Sequence, residues 1–106
     1  MSRIVIAAFK PKPGWEGQLL GIVEKHWRLL HERNLVTERP RIAMQAADGT
    51  VVEVFEWRSS EAVAQAHNDP IVQALWSEFE HACDYVPIAD VPEAQRLFSE
   101  FSALTF

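Results

Sequence analysis

Apolar residues run unbroken from Ile4 to Phe9 and stop at Lys10-Pro11-Lys12-Pro13-Gly14. A β-branched run closed by prolines and a glycine reads as a strand followed by a turn, so residues 3–9 form the first strand. It is apolar on both sides of the pleat, which places it at the centre of a sheet covered on both faces. The period then changes. Over residues 15–33, Trp15, Leu19, Ile22, Val23, His26 and Leu30 share one side of a helix, while Glu24, Lys25, Arg28 and Glu32 fall opposite. Leu20, Trp27 and Leu29 widen the apolar stripe, and His26 lies near its middle.

Arg41 to Ala47 and Thr50 to Trp57 read as strands two and three. The Asp48-Gly49 pair between them is the dipeptide of a two-residue type I′ hairpin turn, which needs positive φ at both centres. Ser59-Ser60-Glu61 offers N-cap chemistry for a short helix over 60–67. Asp69 then caps a further helix with Pro70 at its first position. The stripe of this helix runs from Ile71, Val72 and Leu75 through Trp76, Phe79, Ala82 and Cys83 to Val86. Val86 to Val91 holds a proline and reads as an edge strand. From Pro92, helical spacing returns at Ala94, Leu97, Phe98, Phe101 and Leu104, which predicts a C-terminal helix.

The order is β-α-β-β-α-β, with the second helix broken in two. It predicts a single α+β domain over 1–106 of the ferredoxin-like type, an antiparallel four-stranded sheet with an extra C-terminal helix. Strands one and three are expected side by side, read as parallel across the helical crossover. Both helices cover one sheet face and leave the other bare. Strands apolar on both faces, with a surplus apolar tail, predict that a second copy of the chain covers that face.

Charge and composition narrow the partners. Fifteen acidic against ten basic residues give a net charge of −5, and no Lys/Arg cluster occurs. That removes the footprint expected for a nucleic-acid backbone or an anionic membrane surface. Cys83 stands alone, so no internal disulfide is available, and a cytoplasmic location is the expectation. The apolar start is too short for a signal segment or a membrane span. Histidines at 26, 31, 67 and 81 never fall three or four residues apart, so no helical metal-ligand pair is predicted. No glycine-rich phosphate loop or nucleophile elbow occurs, and no cofactor is expected.

The stretch from Val54 to Ile71, Val-Phe-Glu-Trp-Arg-Ser-Ser-Glu-Ala-Val-Ala-Gln-Ala-His-Asn-Asp-Pro-Ile, resembles the signature of antibiotic-biosynthesis-monooxygenase-like proteins. That signature passes from a strand ending in Glu and an aromatic residue, through Ser-x-Glu-Ala, to a His shortly before an Asp-Pro helix start. The resemblance implies a dimeric α+β barrel, formed sheet to sheet, with a pocket in each subunit between sheet and helices. It implies cofactor-free oxygenation of a small aromatic or quinol-type substrate that itself reduces O₂. A non-catalytic dimeric module that binds a small hydrophobic ligand is the alternative. Haem degradation stands behind both, since the positions of its Trp, axial His and Asn fall at Ala66, Trp76 and Ala7.

His26 is the candidate base, facing the sheet from an apolar stripe, where it takes a proton from a phenol or hydroquinone. His67, at the end of the short helix, is the second candidate catalytic residue and stands at the pocket mouth. Trp27, Phe55, Glu56 and Trp76 are the candidate substrate-binding residues, with Arg41 or Arg58 as ionic partners for Glu56. Each has a plainer role as well. A core histidine satisfied by a carboxylate or carbonyl, a helix-end cation, a cross-strand ion pair and aromatic packing would produce the same pattern.

Overall fold

In the computed structural model, which describes residues 1–106, the first apolar run is the central strand β1 (Arg3–Pro11). Helix α1 (Glu16–Glu32) buries Leu19, Ile22, Val23, His26 and Leu30, the face its spacing predicts. It ends where Asn34 turns to φ 62°, a left-handed conformation that asparagine tolerates. The Asn34 amide donates to the His31 carbonyl and the Leu35 amide to that of Leu30, so two orphan carbonyls are satisfied in a Schellman cap.

Strands β2 (Ile42–Gln45) and β3 (Val51–Trp57) follow, then α2 (Ser60–His67) and α3 (Pro70–Ala82). The expected caps form. The Ser59 hydroxyl accepts from the Ala62 amide at 3.0 Å, and an Asp69 carboxylate oxygen accepts from the Ile71 amide at 3.0 Å, ahead of Pro70. The β2–β3 connection is longer than a two-residue turn. Ala46 pairs with Thr50 and accepts from the Gly49 amide, and the Asp48 side chain accepts from the Thr50 amide. Only Gly49 carries positive φ, at 94°, so the loop is built on the glycine and the Asp48 side chain instead of two left-handed centres.

The sheet has five strands in the order β4-β1-β3-β2-β5, every pair antiparallel. This corrects three expectations. Strands β1 and β3 are adjacent but antiparallel, with Val5 opposite Phe55 and Ala7 opposite Glu53. The reason is geometric: the hairpin makes β3 antiparallel to β2, and β3 inserts between β2 and β1, which run the same way. The fourth strand, β4 (Cys83–Val86), starts directly at the end of α3 and pairs with Ala8 to Pro11. It precedes Pro87, which cannot donate to a ladder.

The C-terminal helix is absent. Residues Ile88–Asp90 and Pro92–Gln95 form two 3₁₀ turns, and the chain then extends to β5 (Ser102–Ala103) on the free edge of β2. Val91 is buried and packs with Ala8, Ala46 and Val52, while Ala94 and Phe101 lie against that cluster. The Glu93 carboxylate accepts from the Ala47 amide at 2.8 Å and pins the segment to the β2–β3 turn. An open sheet edge and an apolar sheet face offer this tail more than a lone helix would, so tertiary contacts override the local period.

Two layers result. The three helices cover one face of the sheet, around Phe9, Leu19, Val51 and Phe79 at one end and Leu30, Phe55, Trp57 and Val72 at the other. Ala62 and Ala66 are buried where α2 lies close to the strands. The C-terminal segment covers part of the second face, leaving Ile4, Ile6 and Ile42 each more than half exposed there. No helix is long and apolar enough to cross a membrane.

Candidate functional site

Alternation along β3 turns Val51, Glu53, Phe55 and Trp57 toward the helices. Three are apolar, and the fourth is a glutamate with no exposure to water. Burying a carboxylate costs several kcal/mol unless its oxygens are matched. Here both are. Oε1 lies 2.7 Å from His26 Nδ1, and Oε2 accepts from Arg41 Nη1 at 2.9 Å. Arg41 stands at the start of β2 and is itself tied to α1, donating to the backbone carbonyls of Val23 and Glu24. The Phe106 ring lies over its guanidinium, 4.8 Å from centroid to Cζ.

This pairing fixes the orientation of the imidazole. A carboxylate only accepts, so the neutral ring carries its proton on Nδ1 and presents Nε2 as an acceptor. The Trp76 indole N–H points at Nε2 from 3.5 Å. Phe55 and Phe79 meet the ring edge to face at 5.5 and 5.0 Å. The imidazole is therefore held from three sides, with one nitrogen committed to Glu53.

His26 forms part of the wall of a cavity of about 530 Å³ between sheet and helices. Val5, Ala7, Phe9 and Phe55 come from the strands, and Val63, Trp76 and Phe79 from α2 and α3. His67, Glu80 and Tyr85 line it as well and are exposed, so they form its mouth. The His67 ring contacts Trp76 at 4.9 Å between centroids. The size suits a small organic molecule, and the lining suits one with an aromatic body. A larger groove of about 860 Å³ lies under the C-terminal segment, but Glu100 is its only titratable lining residue. The smaller cavity gathers four titratable side chains, His26, His67, Glu80 and Tyr85.

Of the residues singled out in the sequence, the fold gathers His26, His67, Phe55 and Trp76 around this space. Two lie elsewhere. Trp27 stacks on His31 at 4.8 Å and packs beside Leu30 outside the cavity, because its position on α1 is one step round from His26. Glu56 alternates onto the opposite sheet face, where Thr37, Ser2 and Arg39 donate to it at 2.7, 2.9 and 3.0 Å. Its partner is Arg39 and not Arg41 or Arg58, and the Thr37 hydroxyl foremost holds its carboxyl below the ordinary range. Glu53 is a site residue not singled out by the sequence pattern. Its signal was a carboxylate in phase with Val51, Phe55 and Trp57 inside an otherwise apolar strand. Burial pushes the Cys83 thiol up to about 11, so it offers no thiolate at neutral pH.

No family model matches this sequence, and no curated protein matches it. Among solved structures, that of Rv0793 from Mycobacterium tuberculosis is similar, with a TM-score of 0.67. The match covers 81% of this chain and 89% of that one at 18% sequence identity, a likeness of fold alone.

Tyr85 gives a direct check on the environment of the mouth. The side chain is half exposed, but its ring contacts Phe9 and its hydroxyl reaches toward the Trp76 carbonyl, and this partial burial first of all pushes its phenol up to about 12. It is the only tyrosine in the chain, so an ultraviolet pH titration reads it without overlap. The folded protein retains this proton where the unfolded chain has lost it, so stability from this group declines as pH rises from about 10 toward 12. An ionisation midpoint near 12 is expected. A midpoint near the ordinary value of about 10 contradicts the described packing.

Proposed function

We propose that this protein is a cofactor-independent oxygenase of a small phenol or hydroquinone, built on a ferredoxin-like unit and related to the antibiotic-biosynthesis-monooxygenase-like family. The observation that carries the reading is the Glu53–His26 pair, 2.7 Å apart, which turns Nε2 toward an aromatic-lined cavity. A carboxylate behind an imidazole orients the ring and stabilises the imidazolium that forms when it takes a proton. A phenol bound with its hydroxyl at Nε2 loses its proton there. The electron-rich phenolate then reduces O₂ and gains a carbon–oxygen bond at a ring carbon bearing hydrogen, giving a hydroperoxide. The ring hydrogen leaves as a proton and the O–O bond breaks to release hydroxide, together one water, which leaves a quinone. One phenol and one O₂ give one quinone and one water, so the four electrons taken up by oxygen all come from the substrate. Phe55 and Trp76 flank the bound ring, and His67 stands at the entrance.

A second reading rests on the Trp76 indole. Its N–H already faces Nε2 at 3.5 Å, as in a histidine satisfied within a core, which supports a ligand-binding module without turnover. Oxygen consumption with a panel of hydroquinones and naphthols separates the two. Oxygen-dependent quinone formation is expected, with His26→Ala lowering the rate by about 10²- to 10⁴-fold, the usual worth of a general base. Binding without oxygen uptake by any member of the panel favours the module.

The same proposal includes a homodimer through the second sheet face, supported by the exposed Ile4, Ile6 and Ile42 on an otherwise covered surface. Sedimentation velocity is expected to give the mass of two chains, and Ile6→Lys to give one. A wild-type protein that sediments as a single chain contradicts it.

A further inference from the structure

Arg41 is not a lining residue of the cavity, yet it contacts both Glu53 and the stretch of α1 that leads to His26. One guanidinium nitrogen donates to Glu53 Oε2 at 2.9 Å and also reaches the Val23 carbonyl. Another donates to the Glu24 carbonyl at 3.1 Å, on the turn of α1 just before His26. The side chain is only 14% exposed. The tail shelters it: β5 pairs with β2, the Leu104 amide donates to the Ala43 carbonyl at 2.9 Å, and Phe106 then lies over the guanidinium.

Resting on the reading of His26 as the base, we infer that Arg41 is a positioning residue that holds Glu53 as a carboxylate and His26 with its proton on Nδ1. Glu53 and Arg41 together are neutral, so the buried pair has no need of an imidazolium to balance it. Without Arg41, a lone buried carboxylate faces the ring, and the pair recovers by taking up a proton. The proton either resides on Nε2, giving an imidazolium, or on Glu53, which then donates to Nδ1 and drives the ring proton to Nε2. Both results remove the free Nε2 lone pair from the cavity. The other charged or titratable groups around the cavity are His67 on α2, Glu80 on α3 and Tyr85 on β4, all at the mouth. None reaches Glu53, so none substitutes for Arg41. Phe106 joins this arrangement through its ring over the guanidinium.

Ring-nitrogen NMR of histidine-labelled protein tests this without any turnover, so it stands or falls apart from the oxygenase reading. The His26 signals are assigned by their loss in His26→Gln. The wild-type ring is expected to carry a proton on Nδ1, toward Glu53, and none on Nε2. In Arg41→Gln, the population with a protonated Nε2 rises about threefold or more, as expected for loss of a unit charge in a poorly screened site. Arg41→Lys, which keeps the charge, restores most of the wild-type pattern, an outcome a merely space-filling role would not give. Phe106→Ala moves the signals in the same direction as Arg41→Gln by less, and it decides the matter if Arg41→Gln does not fold. A wild-type ring already protonated on Nε2 at pH 7 overturns the inference. So does a wild-type ring pattern in every folded variant.

Discussion

A carboxylate with no access to water sits in the middle of β3, and much of the site is arranged around it. Glu53 occupies a position that alternation assigns to the core, between Val51 and Phe55. Replacing the whole buried set by apolar side chains is often neutral or stabilising, whereas removing the glutamate alone would leave Arg41 and His26 without their partner. The glutamate is tolerated because β2 brings Arg41 to one oxygen and α1 brings His26 to the other. These contacts join three elements, and they set which imidazole nitrogen faces the cavity. The cost of burying the charge thus becomes the means of orienting the ring.

The two faces of the sheet divide the remaining work. The helix side provides a continuous core at both ends and the cavity between them, with Phe9 and Phe79 stacked at 4.6 Å on one flank of His26. The second side is covered only in part, by a C-terminal segment held through Val91, Glu93 and the short β5 ladder. That segment does more than cover surface. Phe106 lies over Arg41, so this segment, the edge strand and the buried glutamate form one chain of contacts. In the proposed dimer, the exposed isoleucines beside this segment meet their counterparts in a second copy.

Legibility in the sequence followed how local the physics is. The face of α1, the caps at Ser59 and Asp69 and the first three strands were readable, since each depends on spacing or on one side chain near its own backbone. His26 was readable as a polar residue on an apolar face, and Phe55 and Trp76 as aromatic neighbours of the same space. The tail was misread because Ala94, Leu97, Phe98 and Phe101 satisfy helical spacing, whereas the free edge of β2 is a property of the folded sheet. Leu97 and Phe98 accordingly project into solvent. Glu56 drew attention as the carboxylate beside Trp57 at the strand end, but counting by twos from Phe55 puts Glu53 on the helix side and Glu56 on the other. Arg41 was legible only as an ionic partner for Glu56, and its pairing with Glu53 carried no local signal. Its role arises from the pairing of β2 with β3 and the crossing of α1 above them.

The central claim is that His26 takes a proton from a bound aromatic hydroxyl, and a chromophoric phenol reports this at equilibrium. A nitrophenol changes its visible absorption on ionisation, so titrating it into the protein below its own solution pKa shows directly in which form it binds. The account predicts the spectrum of the phenolate on binding to the wild-type protein. With His26→Ala it predicts the spectrum of the neutral phenol. A phenol that binds the wild-type cavity without ionising, or that ionises equally well without His26, contradicts it.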